Sequence, residues 1–229
     1  MKFILFLLLL SSFIHADEES DRMFDIGEEI YETTCISCHG ESGKADLNVK
    51  LVVKPRSLKK SILTEDQSYK IIKYGAHYWG ANADIMPSFE SVYDEEQLRA
   101  ISYYIKNKFN PNVQEKIDKL YNESEKIPED KLSKMMKRGK KIYKRNCSWC
   151  HGLDAKGDGE AARNPEKSIY PYDLGKTLLS DKQMFLYAKF GGKYWGTNKD
   201  DMPSWKRKYN DFTLKSVVFY IEKTFRKGN

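Results

Sequence analysis

The 229-residue sequence has no apolar run longer than Phe3 to Leu10, stretching at most to Ile14. A bilayer-crossing helix needs roughly 20 such residues, so no transmembrane anchor is expected in the mature chain. No segment alternates apolar and polar residues for long enough to suggest a sheet. No cysteine stands outside two short motifs, and there are only four histidines. Lysines are scattered rather than clustered, which argues against nucleic-acid binding. What is present, 40% hydrophobic and 31% charged residues, describes a folded chain with room for one large domain or two small ones.

Lys2, the apolar run, Ser11-Ser12 and Ala16 read as the charged region, hydrophobic region and cleavage site of an export leader, residues 1–16. Asp17 then opens the mature chain, and the expected location is the periplasm. Position 17 is Asp rather than Cys, so the leader gives no sign of a lipid anchor. The competing reading, a buried N-terminal helix, would need an amphipathic face that the run lacks.

Four cysteines in an exported chain ordinarily suggest disulfides. Here Cys35 and Cys38 precede His39, and Cys147 and Cys150 precede His151, so all four lie in two copies of C-x-x-C-H. This pentapeptide is the attachment site of a c-type haem. Two thiols three positions apart on a helical turn can each form a thioether to one vinyl group, and the adjacent histidine then meets the iron. A thioredoxin-like pair would need a surrounding βαβ pattern, which is absent, and a zinc site is the other competitor. The expected cofactors are two covalently bound haem c groups.

The rest of the chain repeats as well. Gly27, Ile30, Tyr31, Cys35, Cys38, His39 and Gly40 recur 112 residues later as Gly139, Ile142, Tyr143, Cys147, Cys150, His151 and Gly152. Beyond four extra residues around Gly157-Asp158-Gly159, the offset becomes 116. There, Tyr78 to Ser88 overlies Tyr194 to Ser204 with eight of eleven positions identical. Each copy reads as helical. Segments 22–34 and 134–146 precede the haem motifs. Segments 65–74 and 181–190 follow the capping residues Thr64 and Ser180. Residues 95–109 and 212–226 carry Leu98, Ile101, Ile105 and Phe109, then Leu214, Val217, Ile221 and Phe225, at helical spacing.

Each iron needs a second axial ligand. With His15 in the leader and His39 and His151 spent, only His77 remains for two irons, and its counterpart is Lys193. Methionine is the other common ligand, and its soft thioether raises the reduction potential. Met86 and Met202 lie 47 and 51 residues after their histidines, each followed by proline and serine. The alternative for both is a gap-filling core role. Met23 and Met135 also correspond, but they precede the haem motifs and read as core or edge residues.

With these features the chain resembles the class I c-type cytochromes, specifically the two-domain dihaem cytochromes c of bacterial respiratory chains. The resemblance covers nearly everything after the leader. It rests on two C-x-x-C-H motifs, two M-P motifs, and a glycine eight residues before each first cysteine with an aromatic four before it. It implies an all-α fold of two tandem cytochrome c class I-like domains, residues 17–110 and 134–229, joined by a charged linker at 111–133. It implies that Gly27 and Gly139 let the first and last helices cross closely, near Tyr103, Tyr104, Phe219 and Tyr220. It implies a proline carbonyl holding each proximal histidine, from Pro55 and Pro171, with Leu58 and Leu174 against the haem face. The histidine-to-proline segments differ in length between the copies, a departure from the compact family pattern. Trp79 and Trp195, seven residues before each methionine, are candidates to wall off the haem, with an ordinary core role as the alternative. Arg56 and the tyrosines near it are candidates for the haem propionates.

Within the linker, Val113, Ile117 and Leu120 are at helical spacing, so a short amphipathic helix docked across the domains is expected, ended by Pro128. A simply solvated linker is the alternative. Residues 17–110 carry a net charge of −5 and residues 139–229 a net of +9. Such a dipole can orient the approach to a donor and an acceptor redox protein, the basic second domain facing an acidic partner. Solubility alone is the competing explanation.

The function expected is outer-sphere electron transfer, as a free shuttle or as a subunit of a larger redox complex. Two filled axial positions at each iron disfavour enzymatic chemistry. The rival is a dihaem enzyme of the peroxidase or thiosulfate dehydrogenase kind. The former needs an iron that can open, and the latter uses a cysteine ligand that this chain cannot spare.

Overall fold

The computed structural model describes residues 18–46, 54–81, 86–121, 129–163, 171–197 and 202–226. The expected leader and Pro128 lie outside them. All regular structure among the described residues is helical. Helix α1 (18–30) passes through a wide π-helical turn, Tyr31–Cys35, into α2 (Ile36–His39). Then follow α3 (Glu65–Tyr78), α4 (Glu95–Phe109) and α5 (Val113–Leu120). The second copy runs α6 (Leu132–Ile142), a π turn at Tyr143–Cys147, α7 (Ser148–His151), α8 (Asp181–Phe190) and α9 (Asp211–Phe225).

Local chemistry sets these boundaries. Thr64 and Ser180 cap α3 and α8, each accepting a bond from the backbone N–H of a glutamine three residues on, Gln67 and Gln183, whose side chain reaches back to the cap N–H. Asp94 does the same with Gln97 for α4, and Asn210 caps α9. Helix α3 extends past the expected residue 74 to Tyr78, but its backbone breaks at Gly75, φ 79°. The second copy stops outright at Gly191 and resumes as a 3-10 turn, Gly192–Trp195.

In each copy the first helix crosses the last where a glycine removes the side chain. A Cβ on Gly27 would lie 2.6 Å from Tyr104 Cβ and closer still to the Ala100 carbonyl oxygen, and a Cβ on Gly139 would meet Tyr220 Cβ and the Ser216 oxygen in the same way. The expected crossing is therefore present, at Tyr104 and Tyr220. Helix α5 lays Val113 and Ile117 into the core of the second copy with Phe185, Trp195 and Ile62, so both the linker helix and a first-copy residue complete that core.

The halves meet across a local two-fold relation. The Ser57 N–H donates to Gly196 O at 3.2 Å, and the Asp173 N–H donates to Gly80 O at 2.7 Å; these are equivalent pairs at the 116-residue offset. At the centre Gln67 and Gln183, also equivalent, exchange side-chain bonds of 2.9 and 2.7 Å. Each Nε2 also donates to a carbonyl of the other half, Gln67 to Leu178 and Gln183 to Ile62. The reciprocity is that of an isologous interface, here built within one chain by duplication. Glutamine suits this place because a glutamate, the other residue a capping box accepts, would bury two carboxylates face to face.

Removing Gln183 leaves one amide N–H of the buried Gln67 without its acceptor, while the bond to Leu178 O remains. Gln183→Ala is expected to cost about 1–3 kcal/mol, the penalty of an unsatisfied buried polar group. The double variant Gln67→Leu/Gln183→Leu should cost less than the sum of the single Leu variants, because it removes both partners together. Urea unfolding of Gln183→Ala, the two single Leu variants and the double variant against wild type checks this, and strict additivity would show the pair uncoupled.

Candidate cofactor site

A single cavity of about 560 Å³ receives both motifs. From the first copy come Cys35, Cys38, His39 and Met86, and from the second Cys147, Cys150, His151 and Met202. Pro55, Leu58 and Trp79 line it, as do Pro171, Leu174 and Trp195. The predicted cysteines, histidines, methionines, prolines, leucines and tryptophans thus line one cavity shared by both halves. His77 is exposed on the outside, and Met135 is fully buried in the core.

The residues suit a covalently held haem. None of the four cysteines is joined in a disulfide. Burial pushes the Cys35 thiol up to about 11 and the Cys147 thiol up to about 12. Burial also lowers the pKa of His39 and His151, which favours the neutral imidazole that ligates a metal. His151 Nδ1 lies 3.1 Å from the carbonyl oxygen of Tyr172, which leaves the other ring nitrogen for iron. In the first copy the Arg56 carbonyl acts on His39 and opposes the effect of burial, yet Nδ1 is buried with no hydrogen bond formed. The expected proline carbonyls are corrected accordingly: the oxygen comes from the residue after Pro171, and its first-copy counterpart follows Pro55. Proline fixes its own φ and so directs the chain, while the next peptide turns its oxygen to the ring.

Each methionine is held by the same clamp. Ala76 N–H donates to Met86 O at 2.9 Å, and Gly192 N–H to Met202 O at 2.8 Å. Ser88 Oγ donates to Lys73 O at 2.6 Å, and Ser204 Oγ to Lys189 O at 2.8 Å. The loops press against Gly75 and Gly191, whose φ of 79° and 78° a side chain would strain, and where a Cβ would meet the loop backbone. Trp79 and Trp195 each donate an indole N–H at 3.1 Å to the carbonyl of Lys70 or Leu186, fixing the indole over the middle helix. Leu58 and Leu174 are tied by their N–H groups to Gly43 O and Ala155 O.

Several functional positions escaped the sequence reading: the clamp glycines and the twin glutamines. The 116-residue alignment contained the signal, since Gly75 overlies Gly191 and Gln67 overlies Gln183. Arg56, a candidate for a haem propionate, also lines the cavity. Its guanidinium sits at the junction of the halves, 4.9 Å over the Tyr172 ring, and donates to Tyr187 Oη at 3.1 Å. Its counterpart at offset 116 is Tyr172 itself, so the duplication has diverged at this junction.

Comparison with known proteins finds a cytochrome match in each half of the chain. Residues 22–105 match the family model described as cytochrome c oxidase, cbb3-type, subunit III, and residues 136–225 match cytochrome c. A cytochrome bc1 complex cytochrome c subunit of Mycobacterium bovis is 23% identical over 212 residues, covering 90% of this chain and 65% of the relative. The corresponding subunit of Mycobacterium leprae is also 23% identical, with 63% of its length covered, so the chain spans just under two thirds of these curated relatives. A cbb3-type cytochrome c oxidase subunit CcoP of Azospirillum brasilense is 30% identical over 84 residues, 37% of this chain and 26% of the relative. Among solved structures, a chain of the Kuenenia stuttgartiensis reducing HAO-like protein complex is similar at 25% identity and a TM-score of 0.48, covering 88% of this chain and 96% of that one. With two cytochrome c domains in tandem, each carrying one C-x-x-C-H motif for one covalently bound haem c, the chain belongs to the two-domain c-type cytochromes.

Proposed function

We propose that this cytochrome is an exported, periplasmic electron-transfer subunit of a bacterial respiratory complex, passing single electrons through two haems without chemistry on a substrate. In this reading His39 and Met86 hold one iron and His151 and Met202 the other, with the four cysteines as thioether anchors. The observation that carries it is the duplicated clamp: in both copies a histidine and a methionine reach the same cavity from opposite ends of the repeat. The relatives' names, subunits of a bc1 complex and a cbb3-type oxidase, support the respiratory assignment.

When bound, haem c supplies a one-electron couple between ferric and ferrous iron. The polypeptide does the rest. His39 with Met86 and His151 with Met202 would hold the two irons, which would leave no coordination position for a small substrate. Apolar side chains, among them Ile72, Leu174 and Val218, line the cavity and would favour the less charged reduced state of a bound haem. No described helix is long and apolar enough to cross a membrane.

The test is made on protein from a host that matures c-type cytochromes. The expected product carries two covalent haems, shows two reversible one-electron couples, and in the oxidised form has the weak near-infrared band of sulfur-to-iron ligation. A colourless product, or rapid turnover of peroxide with one high-spin iron, would overturn the reading.

A further inference from the structure

The duplicated haem-attachment face has diverged in one direction. Glu29, Glu32, Ser37 and Glu41 in the first copy stand where the second has Lys141, Lys144, Trp149 and Leu153, at the 112-residue offset. All eight are exposed, Trp149 at 49% and Leu153 at 67%. Trp149 lies between the two haem-binding cysteines, Leu153 two residues past His151, and the lysines one to two turns earlier on the same continuous helix. In the first copy the same backbone positions display acid and hydroxyl groups.

Resting on the electron-transfer reading, we infer that the second copy's attachment face, centred on Trp149 and Leu153 with a rim of Lys140, Lys141, Lys144 and Arg145, is the docking surface for an acidic redox protein. The first copy shows that the fold does not require apolar side chains here. An exposed tryptophan and an exposed leucine, preceded on the helix by basic side chains and followed in the chain by the exposed Asp154 and Asp158, have the composition of an apolar interface centre with a polar rim. The charge selects the partner: the second half carries a net of +9 against −5 for the first, so an acidic surface is steered to the second half and repelled from the first. Docking there brings the partner against the segment whose Cys147 and Cys150, on either side of Trp149, line the cavity.

The experiment uses the full two-haem protein, reduced, with plastocyanin, an acidic copper protein, as the probe acceptor and hexacyanoferrate(III) as a small one. Stopped-flow rate constants are measured at low and high salt for wild type, for Trp149→Ser/Leu153→Glu, which restores the first-copy residues, and for the charge-only variant Lys141→Glu/Lys144→Glu. Each variant is expected to slow the plastocyanin reaction by about tenfold or more at low salt. The effect of the charge variant should largely vanish at high ionic strength, while that of the apolar variant persists. Glu29→Gln/Glu32→Gln in the first copy should leave the rate within about twofold. Both second-copy variants reacting at the wild-type rate, with both haems present, would overturn the docking surface. So would an equal slowing with hexacyanoferrate(III) or a shifted potential, since the change would then lie in the haem site. A wild-type protein that reduces neither acceptor would instead overturn the electron-transfer reading.

Discussion

Met202→Ala is expected to abolish half of the near-infrared sulfur-to-iron intensity and to lower one of the two midpoint potentials by roughly 0.2 V, part of the ~0.8 V over which axial ligands set haem potentials. For one electron that is roughly 4–5 kcal/mol, since 59 mV corresponds to a tenfold change in the equilibrium constant. Met86→Ala should do the same to the other couple, and the double variant should lose the band entirely. Met135→Leu, a buried methionine away from the cavity, should leave both couples in place. The clamp makes a graded version of the test. Ser204→Ala removes the Oγ bond to Lys189 O but keeps the sulfur, so the band should weaken or shift while Met202 still ligates. Both methionine variants retaining full intensity would move the ligand assignment elsewhere, and with it the argument that neither iron has an open position.

Much of this was legible in the chain because the decisive residues sit in short, local patterns. C-x-x-C-H places two thiols and an imidazole on one helical turn, and the M-P-S block stands at a fixed offset in both copies. The crossing glycines were legible for the same reason, four residues before an aromatic that precedes each motif. What local pattern could not reveal is the meeting of the halves. Gln67 and Gln183 carry no local signal of their own, and their exchange of hydrogen bonds exists only once α3 and α8 abut. Likewise the oxygen near His151 belongs to Tyr172 because of how the chain leaves Pro171, a matter of backbone direction that spacing does not encode. Helix α3 ran past its expected end because three residues after Gly75 return to helical geometry, a kink whose cause is the methionine loop packed against it.

Gly139→Ala should be among the most damaging single changes in the chain, although alanine is the better helix former by about 1 kcal/mol. The added methyl would lie 2.7 Å from Tyr220 Cβ and nearer still to the Ser216 carbonyl oxygen. Neither obstacle can rotate away, since one is main chain and the other begins a side chain packed against Tyr143 and Phe225. Helices α6 and α9 must therefore separate, and core overpacking of this kind costs about 1–3 kcal/mol or more, a large share of the ~5–15 kcal/mol that holds a domain together. The expected fall in Tm is about 2–12 °C at 2–4 °C per kcal/mol for a chain of this size. Shortening Ser216 to alanine should not rescue it, because the clash is with the backbone oxygen; rescue would mean the helices yield more cheaply than the contact distances imply. The damage should also reach the cofactor. Helix α6 runs straight through its π turn into Cys147, Cys150 and His151, so displacing it from α9 displaces the attachment site, and the haem-to-protein ratio should drop toward one while the first-copy haem remains.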